Sequence, residues 1–232
     1  MHYEQIGIVR RLKRHTYDRF AVLAIVLAVL AGCATDGRAP GAHESSAENE
    51  RKVARLEDGR EGFIITEVPE IDEASRRDFD KAVAMLNEQE YDRAIDLLEG
   101  VIEKSPGVTA PHINIAIAYQ RRDQPEQAEE HLKTALVLFP EHPAACNEYG
   151  VLYRKTRRFA EAREIYEKVI SRFPDYYPVH RNLGILCDLY MNDPACALKH
   201  YEIYSKAMPE DRQVILWITD LRARFGGNEE ER

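Results

Sequence analysis

Eight histidines and four cysteines are the side chains of this 232-residue chain best suited to chemistry. Imidazole and thiolate bind metals and carry acid–base or nucleophilic catalysis. Their spacing argues against those uses. Neither His131 nor His200 has a second histidine four residues away, the spacing that sets two imidazoles on one helix face. No serine stands in the G-x-S-x-G context of a nucleophile elbow. No glycine-rich phosphate loop occurs, and Gly226-Gly227 merely follows a helical stretch. Adjacent carboxylates such as Glu129-Glu130 read as solvated helix surface. The expectation is no catalytic residue, no metal and no cofactor.

One cysteine has a distinctive setting. Leu30-Ala31-Gly32-Cys33 closes an apolar run from Phe20 to Leu30, which follows the basic stretch Arg10-Arg11-Leu12-Lys13-Arg14. A charged region, a short apolar region and small residues before a cut describe a secretory signal peptide. The run is about a dozen residues long, whereas a bilayer crossing takes about 20. The L-A-G-C ending resembles the lipobox of bacterial lipoproteins. That resemblance implies that the mature protein begins at Cys33, with lipid, palmitate included, on its sulfur and amine. Ala34 follows where an aspartate would favour retention in the inner membrane. The expected location is therefore the outer membrane of a bacterial envelope, facing the periplasm.

The net charge of the whole chain is −8. Residues 1–32 hold five Lys/Arg and two Asp/Glu, so the mature part keeps 27 basic and 38 acidic residues, a net of −11. That balance argues against general nucleic-acid binding, which relies on cationic surface. From Ala34 to about Gly62 the chain is polar and holds too little apolar surface to bury, so it reads as a flexible tether. Within it, part of Glu48–Glu57 reads as transiently helical, and Phe63–Val68 as extended.

The elements that would position any site show themselves by repetition. Ala94, Ala128 and Ala162 are 34 residues apart, and so are Pro106, Pro140 and Pro174. The next proline, Pro209, comes one residue late. A period of 34 with two amphipathic helices per unit resembles the tetratricopeptide (TPR) repeat. With the alanine as position 20, position 8 holds Ala82, Ala116, Gly150 and Gly184, small enough for two antiparallel helices to approach closely. The proline near position 32 stops each second helix. In the fourth unit an extra residue falls near Met191-Asn192-Asp193, with Asp193 placed to cap the helix that Pro194 opens. Beyond Pro209, Val214, Trp217, Ile218, Leu221 and Phe225 form one apolar stripe, the pattern of a capping helix.

The expected fold is all-α, a TPR-type α-solenoid of helix-turn-helix repeats with a C-terminal capping helix. Residues 1–32 read as a signal peptide, 33–70 as lipidated cysteine plus tether, and 71–210 as four repeats (about 75–108, 109–142, 143–176 and 177–211). The cap takes 211–226 and a charged tail 227–232. Cys187 and Cys196 flank the tight turn of the fourth repeat, where their Cα atoms could meet the 4.4–6.8 Å that a disulfide needs. Two buried thiols acting as small apolar residues are the alternative.

In the TPR family, positions 2, 5, 9, 12 and 13 of each first helix line the concave face. Carried to this chain, the resemblance implies a peptide-binding groove of Phe79, Val83, Ile113, Ile117, Arg121, Asn147, Val151, Arg154, Lys155, Arg181 and Ile185. One end would be apolar, and Arg121, Arg154, Lys155 and Arg181 would meet acidic side chains or a terminal carboxylate of a partner. The implied partners are envelope proteins in the groove and the membrane through Cys33, with no nucleic acid and no small-molecule substrate. Pilotin-like lipoproteins of type IV pili, repeat lipoproteins that bring murein hydrolases to synthases, and repeat proteins of proton-driven envelope motors are similar. The expected function is a non-enzymatic scaffold that assembles or localises an envelope complex. The alternatives are a periplasmic carrier of an outer-membrane subunit and a regulatory subunit of an envelope enzyme.

Overall fold

The computed structural model describes residues 71–225 together with the backbone of two short strands. Everything described belongs to one unit of the chain, Asn49–Arg232. The signal peptide, Cys33 and the charged tail lie outside the described residues.

Nine helices follow one another among the described residues: α1 Glu73–Asn87, α2 Tyr91–Lys104, α3 Thr109–Arg121, α4 Pro125–Leu138, α5 Pro143–Lys155, α6 Phe159–Arg172, α7 Tyr177–Leu189, α8 Pro194–Ala207 and α9 Arg212–Phe225. The odd helices α1 to α7 are the first (A) helices of four hairpins, and the even ones are the second (B) helices. Each helix packs on the next in sequence, and the A helices also touch one another, α1 on α3, α3 on α5 and α5 on α7. This is an all-α TPR solenoid.

Upstream, β1 (Lys52–Arg55) pairs antiparallel with β2 (Phe63–Thr66), Lys52 opposite Thr66 and Arg55 opposite Phe63. The extended reading of Phe63–Thr66 holds. The helical reading of Glu48–Glu57 is corrected at Lys52–Arg55. Phe63-Ile64-Ile65-Thr66 is aromatic and β-branched throughout, and pairing with a strand of that kind overrides the helix preference of Lys52, Ala54 and Arg55.

Turn chemistry explains why the hairpins repeat. The residue that reverses the chain between A and B helices is left-handed in each: Gln89 at φ 65°, Asp123 at 58°, Arg157 at 65° and Asn192 at 50°. The next amide N–H reaches back to the carbonyl five residues earlier, as from Glu90 to Met85 (2.9 Å), Gln124 to Tyr119 (3.0 Å) and Arg158 to Tyr153 (2.7 Å). Such closures satisfy carbonyls that the helix end leaves unpaired. In the fourth hairpin the pattern is displaced by one residue: the bond runs from Asp193 to Cys187 at 2.9 Å. Asp193 then caps α8, its carboxylate accepting from the Cys196 N–H at 3.0 Å. Cys187 and Cys196 are bonded across this turn, with Cα atoms 5.9 Å apart.

Side-chain size sets how closely A meets B. Hairpins one and two pair Ala82 with Leu98 and Ala116 with Leu132, all four fully buried. Hairpins three and four place a tyrosine ring in the space a β-carbon would fill. A Cβ built on Gly150 would stand 2.2 Å from Cε1 of Tyr166, and one on Gly184 would stand 2.5 Å from Cδ1 of Tyr201. Glycine at position 8 is therefore the complement of tyrosine at position 24. On the cap, Val214, Ile218 and Leu221 are buried against the fourth hairpin and Trp217 is half-buried, but Phe225 is exposed.

Candidate functional site

The A-helix face is where α1, α3, α5 and α7 lie side by side, and it carries the residues expected to line a groove. Their exposure divides them. Ile113 is 0% exposed, buried with Ala135, Ala144 and Ala145, so it supports the face from beneath. Phe79, Ile185 and Asn147 are buried as well. Val83, Ile117 and Val151 are half-buried and present apolar surface. Arg121 and Lys155 are exposed, whereas Arg154 and Arg181 are half-buried.

Polar side chains link the A helices. Asn182 on α7 donates its Nδ2 to Oδ1 of Asn147 on α5 at 2.9 Å. Asn147 in turn donates to the Glu148 carboxylate at 3.1 Å. Gln120 on α3 donates to the Glu148 backbone carbonyl at 3.3 Å, and Lys155 Nζ donates to the Gln120 carbonyl at 2.9 Å. Arg121, Lys155 and Arg154 all act on Glu148, so the basic cluster contains a carboxylate. Desolvation outweighs those cations and the Asn147 bond, and the Glu148 pKa is raised. Desolvation, and then the repulsion of Arg121 and Arg154, lower that of Lys155. Position 6 is polar in all four repeats, as Asp80, Asn114, Glu148 and Asn182, and that recurrence was the sequence signal for Glu148.

The two half-buried arginines are committed to neighbours. Arg181 has a side chain only 18% exposed, with Nε 3.5 Å from an Asp211 oxygen and its guanidinium over the Trp217 ring at 5.2 Å. Asp211 also accepts from the Tyr204 hydroxyl at 3.2 Å. Arg154 lies 5.7 Å from the Tyr190 ring centroid, and Tyr190 packs on Phe159 at 5.0 Å. Asp211, Trp217 and Tyr190 sit outside the A-helix positions that the repeat pattern marks, so the pattern alone did not lead to them.

The histidines come together in a way their linear spacing hides. His112 meets His131 and His180 meets His200, each pair joining an A helix to its own B helix. The pairs are 19 and 20 residues apart, which is position 4 against position 23 of one repeat once the extra residue of the fourth repeat is allowed for. Among the described residues, one three-residue group has metal-ligand spacing: Cys187, Asp193 and Cys196. Its sulfurs are bonded to each other and its carboxylate caps α8, so no thiolate is left to ligate. No helix among the described residues is long and apolar enough to cross a membrane.

The arrangement defines a helical-repeat protein whose A-helix face offers an apolar strip beside a mixed-charge cluster. Residues 113–177 match the model of the tetratricopeptide repeat family. The chain is similar to the type IV pilus assembly protein PilF of Pseudomonas aeruginosa, 24% identical over 207 residues that cover 87% of this chain and 71% of that protein. A solved structure of Pseudomonas aeruginosa PilF superposes with a TM-score of 0.60 at 24% identity, covering 66% of this chain and 69% of that one. A solved structure of MamA from Desulfovibrio magneticus RS-1 gives 0.53 at 15% identity, over 67% and 87%. A match to the probable UDP-N-acetylglucosamine--peptide N-acetylglucosaminyltransferase SPINDLY of Petunia hybrida is 30% identical over 93 residues, 40% of this chain. The chain spans only 10% of the length of that plant protein.

Proposed function

We propose that this chain is a non-enzymatic scaffold, held to a bacterial outer membrane by lipid on Cys33, that docks partner proteins on its A-helix face. The observation that carries the docking role is that face itself. Half-buried Val83, Ile117 and Val151 stand beside exposed Arg121 and Lys155 on a solenoid whose hairpin turns are closed by backbone hydrogen bonds. The first group offers apolar anchor points. The second offers charge-assisted bonds to an acidic side chain or terminal carboxylate. Similarity to a protein named for type IV pilus assembly supports an envelope complex as the setting. The L-A-G-C motif at Leu30–Cys33 supports the anchor.

Arg154 and Arg181 are poor choices for a test, because Arg181→Glu would set a carboxylate against Asp211. The test is Arg121→Glu with Lys155→Glu in the full chain, used to capture partners from solubilised envelopes. Loss of stoichiometric partners with an unchanged helical dichroism spectrum supports the reading. Capture equal to that of the parent refutes the groove. Separately, a Cys33→Ser chain that still fractionates with the outer membrane refutes the anchor.

A further inference from the structure

Two imidazole pairs hold the same place in two hairpins. His112 on α3 faces His131 on α4, Nδ1 to Nδ1, at 3.2 Å, and His180 on α7 faces His200 on α8 at 2.9 Å. All four stand at positions 4 and 23 of their repeats. Hairpin three has Cys146 and Ile165 there, and hairpin one has Asp78 and Leu97. The rings of each pair are tilted against each other with centroids 5.4 and 5.1 Å apart. His112, His180 and His200 are buried, and His131 is half-buried.

In hairpin four the neighbours decide the tautomers. His180 Nε2 lies 2.8 Å from the Pro174 carbonyl oxygen, which can only accept, so Nε2 carries the hydrogen. Neutral His180 then has a lone pair at Nδ1, and the hydrogen between the rings belongs to Nδ1 of His200. One extra proton can enter at Nε2 of His200 and leave the ring-to-ring bond intact. The next must enter at Nδ1 of His180, where two N–H groups would face each other at 2.9 Å. The pair cannot hold that proton in place, and one ring has to leave.

We propose that the two pairs are an acid-operated release of hairpins two and four: protonation parts each A helix from its B helix there, while hairpin three stays closed. The charged groups around the His180–His200 pair are Lys199 on α8, Arg163 and Glu167 on α6, and Asp175 in the turn before α7. Lys199 and Arg163 oppose a charge on the imidazoles, and Glu167 and Asp175 favour it. At the other pair, Glu130 favours a charge on His131, whose ring also lies 5.7 Å from that of Tyr119. Burial is the largest influence at His131, His180 and His200 and favours the neutral form at each. His200 is held down to about 4. The α3 and α7 helices flank α5, so the release would reshape the docking face from both sides. That last consequence rests on the docking role proposed above, and the release itself does not.

The test uses the full chain in detergent. Nitrogen-15 imidazole spectra at pH 7.5 should show His180 as the Nε2–H tautomer and His200 as the Nδ1–H tautomer. Amide hydrogen exchange, corrected for the intrinsic pH dependence, should lose protection in α3, α4, α7 and α8 between pH 6.5 and 4.5, and not in α5 and α6. Unfolding of the parent at pH 5 should take up about one more proton per pair than unfolding of the His131→Phe/His200→Phe variant. Uniform loss of protection over all hairpins, or ordinary imidazole titration near 6.5 at His180 and His200, overturns the proposal. If the variant does not fold, the parent's spectra and exchange profile decide alone.

Discussion

Replacing Gly150 with alanine puts the helix-spacing argument at risk in a single methyl group. In an exposed helix interior that change is stabilising, by about 0.5–1 kcal/mol, because glycine loses more backbone freedom on folding. At Gly150 the new Cβ would stand 2.2, 2.6 and 2.8 Å from Cε1, Cζ and Cδ1 of Tyr166. Ordinary carbon contacts are about 3.5–4.0 Å, so the ring or the helix must shift by roughly 1 Å or more. Tyr166 is fully buried within the core of hairpins three and four, so the ring has no solvent to retreat into. Forcing a methyl group into such packing costs about 1–3 kcal/mol. The balance is a loss of roughly 1–2 kcal/mol, or about 2–8 °C in Tm for a body of this size.

The partner change is already present in the same chain. Hairpins one and two use alanine with leucine at these positions, Ala82 with Leu98 and Ala116 with Leu132. Tyr166→Leu alone leaves a void and costs about 1–3 kcal/mol. With Gly150→Ala it restores the pairing of the first two hairpins. The double variant should then be more stable than the sum of the two single losses by at least ~1 kcal/mol. Urea unfolding of the four proteins, followed by far-ultraviolet dichroism, gives the cycle. Strict additivity, or a rise in Tm for Gly150→Ala alone, refutes the reasoning.

Cys187→Ala with Cys196→Ala should lower stability by about 2–3 kcal/mol under oxidising conditions, and reductant should reproduce much of that loss in the parent, because a crosslink over nine residues restricts the unfolded chain. Thiol-reagent kinetics should find Cys146 inert at pH 8 in the folded protein and reactive in urea, since burial pushes its thiol up to about 11. Glu148→Gln should leave Tm at pH 7 unchanged or raised, despite three cations nearby. A carboxylate whose folded pKa is raised favours folding below its unfolded value and disfavours it as pH climbs, and thermal scans at pH 4 and pH 7 check the sign.

The architecture was legible because its signals are local. The prolines that end or open helices act on their own backbone, and the period of 34 recurs whatever the neighbours do. The extra residue at Met191–Asp193 was visible for the same reason, and it reappears as a left-handed residue and a long amide bond one step late. The strand Lys52–Arg55 was missed because its conformation is set by a partner eight or more residues away.

For the site, sequence alone determined which residues stand on the A-helix face, since 3.6 residues per turn settles a residue's angle on its own helix. It also brought the four histidines to positions 4 and 23 of the repeat. Only the tertiary structure decided which of those residues reach solvent and which are taken by neighbours. Ile113 and Ile117 share one helix, yet the first is sealed beneath α5 and the second is half open. Arg181 turns to Asp211 and Trp217, which a different segment supplies. Two imidazoles become one hydrogen-bonded pair only where two helices cross at the right depth. That depth is a property of packed helices, set by ring and methyl volumes such as Tyr166 against Gly150, and periodicity carries no record of it.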